Sequence, residues 1–167
     1  NPYLYHMTVT LGEDRVTSYF GLRTIEVEKV EGVPRVCLNG KPIFLNGVLD
    51  QGDFCDGIYL PAREDEYEQD ILRMKNLGIN LLRKHMKIEP ECFYYYCDKH
   101  GMLVMQDMVN SGVYSWIRDT ALPTLGIFQQ WDGRFWGSRR RRNFFVEHMK
   151  ETLGHLMGHP SVVAYTI

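Results

Sequence analysis

The sequence predicts an α/β protein: a parallel sheet with helices on its face, preceded by a short antiparallel β segment. Three observations carry this. From residue 43 onwards, strand-like and helix-like runs alternate, the pattern of successive βαβ units. The strand-like runs at residues 79–83, 102–106 and 161–167 are largely apolar, as strands buried in a parallel sheet are. Before residue 30 the chain instead alternates in character and is rich in β-formers.

Residues 3–11, YLYHMTVTL, read as a strand, with a turn at Gly12-Glu13-Asp14. Residues 16–27 read as one further strand with Gly21 as a bulge. Two strands are marginal alone, so this pair must extend a larger sheet or pack on the rest of the chain. Residues 31–34 form a turn, and Asn39-Gly40 is a strong two-residue hairpin signal between residues 36–38 and 43–45. A domain boundary is expected between residues 29 and 41, giving domains 1–30 and 31–167. A polar, Gly-bearing loop, residues 50–63, leads to a helix over residues 64–77. Tyr67, Ile71, Met74 and Leu77 make its apolar stripe, the three acidic residues at its start suit the helix dipole, and Gly78 stops it.

The strand at 79–83 is followed by a helix over 91–100, with Pro90 at its start, Gly101 as its stop, and Phe93, Tyr96 and Cys97 inward. A strand at 102–106 and a long aromatic loop, 109–137, come next. Loops of that length in compact domains usually serve function. The last helix runs from Ser138 or Asn143 to Met157, with Phe145, Met149, Thr152, Leu153 and Leu156 inward. The strand SVVAYTI, residues 161–167, completes the pattern.

Composition narrows the function. The 167 residues carry a formal charge of −2, which favours neither nucleic acid nor a membrane surface. No apolar run is long enough to span a bilayer. The cysteines at 37, 55, 92 and 97 lack metal-ligand spacing and read as free thiols, which leans towards a reducing, cytoplasmic compartment. The four arginines at 139–142 read as a solvated segment ahead of a helix that starts nearer Asn143. A phosphate-binding α/β protein using that run ranks last among the functional readings. His148 and His155 lack a third zinc ligand, and His6, His100 and His159 read as structural, the last in a capping turn.

In βα units, ligands are handled where parallel strands end. Asp50 ends the first strand of the alternating series, Arg83 and His85 the second, and Asp107 the third. A carboxylate, a guanidinium and an imidazole on one rim suit polyhydroxylated ligands. The competing reading is a structural Arg83–Asp107 ion pair beside a satisfied histidine. Trp116, Trp131 and Trp136 lie in the long loop; taken singly they read first as glue between loop and body, with one flat indole stacking on a sugar ring as the second reading.

Several segments together resemble glycoside hydrolase family 2, which contains β-galactosidases, β-glucuronidases and β-mannosidases. They are YFGLRTIEV (19–27), LNGKPIFLNGV (38–48), DILRMKNLGINLLR (70–83), YCDKHGMLV (96–104) and HPSVVAYT (159–166), in the family's order. The resemblance implies that residues 1–30 are the last strands of an immunoglobulin-like domain. Residues 31–167 would be the first four strands of a (β/α)8 TIM barrel, which takes about 250 residues and carries its site at the C-terminal rim. In this family the acid/base glutamate follows an Asn directly after the fourth strand, and the nucleophile comes from a later one. Retaining hydrolysis needs those carboxyl groups about 5 Å apart. No catalytic residue is therefore expected within these 167 residues, which alone should be inactive and should self-associate or join the remaining half-barrel.

The resemblance makes Arg83, His85 and Asp107 candidate substrate contacts; Asp50 and Trp131 join them from the reading of the residues, and no cofactor or metal is expected. The family's Asn-Arg-His after the first strand is replaced by Asp50-Gln51-Gly52, and its Asp-Glu pair after the third reads Gln106-Asp107. The substrate class is a β-glycoside, with the β-galactoside and β-glucuronide types both open. The alternative is a non-catalytic carbohydrate-binding or scaffold module.

Overall fold

A computed structural model describes residues 2–109, 115–127 and 138–167. The chain divides into two units, residues 1–108 with 155–167, and residues 109–154.

In the first unit, β1 (Tyr5–Leu11) and β2 (Asp14–Phe20) form an antiparallel hairpin. The single strand expected over 16–27 is two, because β2 stops at Phe20 and β3 (Ile25–Val30) pairs elsewhere. The cause is a contact distant in sequence. Gly21 lies so close to Pro160 that a Cβ there would sit 2.7 Å from the proline Cγ. Two residues on, Arg23 donates from Nε to Pro160 O (2.9 Å) and from Nη2 to Val162 O (2.6 Å). These ties pull residues 21–24 out of any ladder.

The expected turn at 31–34 is tighter than its sequence suggests. Glu31 and Gly32 both have positive φ and join β3 directly to β4 (Val33–Leu38). Asn39 and Gly40, with φ of 52° and 70°, make the expected two-residue turn into β5 (Lys41–Pro42). The second arm ends there, and residues 43–45 are not strand.

The parallel sheet has the order β6 (Gly47–Asp50), β7 (Leu81–Lys84), β8 (Leu103–Asp107), β9 (Val162–Thr166). Helix α1 (Asp65–Asn76) connects β6 to β7, and α2 (Glu91–His100) connects β7 to β8. Acidic side chains in the first turn of α1 and Arg73 and Lys75 in the last complement its dipole. Tyr67 and Ile71 are buried and Met74 packs beside them, but Leu77 is 74% exposed. It caps the helix where Gly78 turns the chain left-handed, and so falls off the stripe.

α2 ends at Gly101, whose φ of 65° supplies the left-handed C-cap. It buries Phe93, Tyr94, Cys97 and Asp98, a broader face than its apolar spacing indicates, while Tyr96 is only half-buried. Leu82, Val104 and Val162 from the sheet close the core against these helices. Each such side chain contributes roughly 1.5–3 kcal/mol on burial. Tyr67, Phe93 and Tyr94 meet edge to face, with centroids 5.7 and 5.1 Å apart.

Asp98 ties three segments together. Its Oδ2 accepts from Tyr19 OH at 2.8 Å and from His159 Nδ1 at 2.7 Å, and its Oδ1 from Ser161 N at 2.7 Å. The Tyr19 phenol is half-buried and faces that carboxylate; desolvation and the carboxylate together push its ionisation far above the ordinary range. His159 thus bridges elements rather than only capping a turn.

In the second unit, a π-helical turn (Ile117–Ala121) runs into a short α3 (Leu122–Thr124). Helix α4 (Arg139–Leu156) begins at the arginine run itself, four residues before Asn143. Backbone bonds from Arg141 and Arg142 to Ser138 O start it there, with the arginine side chains exposed. Among the described residues no helix is long and apolar enough to cross a membrane.

Candidate functional site

Strand register decides which side chains share a face. Leu49, Arg83 and Met105 are aligned across β6, β7 and β8, so Asp107, two residues beyond Met105, joins them. Asp50, Lys84 and Gln106 are aligned on the opposite face, with Val48, Leu82 and Val104. That second face is the one α1 and α2 cover.

Arg83 and Asp107 meet as the ion-pair reading requires. Arg83 Nε lies 3.0 and 3.2 Å from the two carboxylate oxygens. The Asp107 side chain is 6% exposed and that of Arg83 45%. Burial pushes the Asp107 carboxyl up, but hydrogen bonds from Arg83 and Thr166 and the charges of Arg83 and His85 outweigh it, and the group titrates below its usual range. With the folded value lowered, the pair contributes stability above the ordinary carboxylate range and loses it as pH falls through the lowered value.

His85 stands at the same rim, half-buried. Its backbone N–H donates to Asp50 O at 2.9 Å, and its Nδ1 lies 3.4 Å from Gln51 Nε2. The structure therefore brings Arg83, His85 and Asp107 to one end of the sheet. Asp50 is at the same strand ends but faces the helix layer. Its Oδ2 pairs with Lys84 Nζ at 3.0 Å, and its Oδ1 accepts from Gly52 N at 2.8 Å. Trp131 lies outside the described residues; Trp116 is in the second unit and exposed.

Beneath the rim is a buried ionic layer that sequence reasoning missed. Lys84 Nζ is 2.5 Å, and Lys87 Nζ 3.0 Å, from Glu89 Oε1. Tyr67 OH donates to Glu89 Oε2 at 2.9 Å. Lys87 also donates to Gly52 O at 2.6 Å and to Tyr59 O. The Gln106 amide donates to Lys87 O (2.9 Å) and Asp107 O (3.0 Å) while accepting from Tyr94 OH (2.7 Å). All of Lys84, Lys87, Glu89 and Gln106 are at most 5% exposed. KHMKIE has the charge density of an exposed segment. The only available signal is that Lys84 continues an apolar strand, where a charge needs a partner.

A parallel sheet with polar groups gathered at its carboxyl ends defines the class, an α/β protein with a polar strand-end rim. The particular family comes from comparison: the chain belongs to the glycosyl hydrolases family 2, whose TIM barrel domain matches residues 28–167. A β-glucuronidase of Bacteroides fragilis is 28% identical over 124 residues, 69% of this chain and 17% of its own length. A β-galactosidase of Aeromonas hydrophila is 28% identical over 175 residues, 99% of this chain and 15% of its own length. The chain thus spans about a sixth of these relatives. Among solved structures, a β-glucuronidase from an uncultured Clostridium covers 98% of this chain and 25% of its own at 23% identity, with a TM-score of 0.75. A β-galacturonidase from Eisenbergiella tayi, bound to galacturonate, covers 98% of this chain and 26% of its own at 21% identity and 0.73. These structural likenesses show the fold.

Proposed function

We propose that this chain is the first half of the catalytic barrel of a retaining β-glycosidase, of β-galactosidase or β-glucuronidase type. In this reading β6 to β9 are barrel strands one to four, and residues 1–30 close an immunoglobulin-like domain. The observation that carries it is the Arg83–His85–Asp107 cluster at the carboxyl ends of consecutive parallel strands, in a chain of this family. Such groups hold a sugar through directed, charge-assisted hydrogen bonds. The half-exposed guanidinium of Arg83 suits that use, and the face it shares with Leu49, itself 54% exposed, becomes the barrel interior. The two catalytic glutamates come from polypeptide beyond these 167 residues. Among the described residues the β6 and β9 edges are open, and self-association or the second half-barrel covers them.

Assay of the full-length gene product against aryl β-galactosides and β-glucuronides tests the reading. Hydrolysis of at least one is expected, with the β-anomer released first, and none by the isolated 167 residues. Turnover of no β-glycoside, or release of the α-anomer first, would overturn it.

A further inference from the structure

The buried ionic layer points to a residue whose role lies in geometry at the rim. We infer that Lys87 is a positioning residue for the sugar-binding rim: it clamps the loop of residues 51–60 beneath the strand ends and so holds Gln51 beside His85. This rests on the glycosidase reading above.

The ammonium of Lys87 donates to Gly52 O and Tyr59 O and forms an ion pair with Glu89 Oε1 at 3.0 Å. It also lies 4.3 Å from the centroid of the Tyr59 ring. Gly52 and Tyr59 lie one residue inside the two ends of the loop, so one buried cation pins both. Within the loop, Phe54 and Ile58 exchange backbone hydrogen bonds of 2.9 and 2.8 Å. Ile58 has a φ of 63°, which a β-branched residue adopts only where its surroundings enforce it.

Two left-handed residues place the parts. Met86, with φ 57°, separates His85 at the rim from Lys87 beneath it. Gly52, with φ 70°, brings its backbone against the cluster; a Cβ there would sit 2.5 Å from Lys84 Nζ and 2.8 Å from Lys87 Nζ. Gln51, next to Gly52, has its Nε2 3.4 Å from His85 Nδ1. The Gln106 amide ties Lys87 O to Asp107 O, so the ends of the first three parallel strands share one support. Locking contact groups before substrate arrives improves binding without touching the reacting atoms.

The layer is charge-balanced, with Asp50 and Glu89 against Lys84 and Lys87. Removing one cation leaves an imbalance that can impair folding. The double variant Lys87→Met/Glu89→Gln removes one charge of each sign and keeps the Lys84–Asp50 pair. Both variants are made in the full-length enzyme, with Lys99→Met, at a partly exposed pair between α2 and α1, as control. Hydrogen exchange is followed at the amides of residues 53–60, and kinetics are measured on an aryl β-glycoside. In Lys87→Met and in the double variant, exchange rises at least tenfold and KM rises about tenfold, with kcat within twofold of wild type; Lys99→Met moves neither. Unchanged exchange overturns the clamp, and faster exchange with unchanged KM overturns the positioning role. A wild-type enzyme that turns over no glycoside overturns the functional reading itself and this inference with it.

Discussion

Glu89→Ala should destabilise the full-length protein by about 3–5 kcal/mol, the cost of breaking a buried ion pair from one side. Glu89 is 2% exposed and its Oε1 faces two ammonium groups. With the carboxylate gone, Lys84 keeps Asp50, but Lys87 keeps, among the described residues, two carbonyl oxygens and the rings of Phe54 and Tyr59. Tyr67 OH loses its acceptor as well. Glu89→Gln keeps the shape and one acceptor oxygen and should cost less. Urea unfolding of both variants checks this, and a loss below about 1 kcal/mol for Glu89→Ala would show that the lysines find other partners or lose their charge.

Asp98→Ala should cost a similar amount, by a different route. Three donors converge on this carboxylate: Tyr19 OH, His159 Nδ1–H and Ser161 N–H. A buried donor left without an acceptor costs about 1–3 kcal/mol, and Ser161 N, preceding β9, is the deepest of the three. The loss falls unevenly over the molecule. Tyr19 is on β2, so the variant loosens the β1–β2 hairpin from α2 before the parallel sheet opens. Limited proteolysis should cut first near the Gly12-Glu13 turn, at a rate Tyr19→Phe raises only slightly. Wild-type resistance there would remove Asp98 as the tie.

What could be read from the sequence was local. The α2 bounds followed from Pro90, an apolar face and Gly101, all within a dozen residues. The Asn39-Gly40 turn is fixed by two residues that tolerate positive φ. The alternating order of the parallel strands followed from runs of apolar residues, and the strand ends marked Arg83, His85 and Asp107. What could not be read depends on pairing across long separations. The break after Phe20 is set by Pro160, and nothing near Gly21 announces it. The face of Asp50 depends on register: it aligns with Lys84, not with Arg83, and one residue of register exchanges the two faces of a strand. The ionic layer was hidden for the same reason, because the partner of Lys84 on β6 lies 34 residues away.

In the proposed function Arg83 and Asp107 hold a sugar as well as each other. Arg83→Met in the full-length enzyme tests it most directly, with kcat/KM on the preferred aryl β-glycoside measured beside the thermal midpoint. Loss of one charge-assisted contact to substrate predicts a fall in kcat/KM of about 10- to 100-fold. The midpoint should move by only a few degrees, since the guanidinium is half-exposed and Thr166 and His85 still face the Asp107 carboxylate. A kcat/KM within twofold of wild type, at whatever midpoint, would make the pair a brace between two strands and contradict the account.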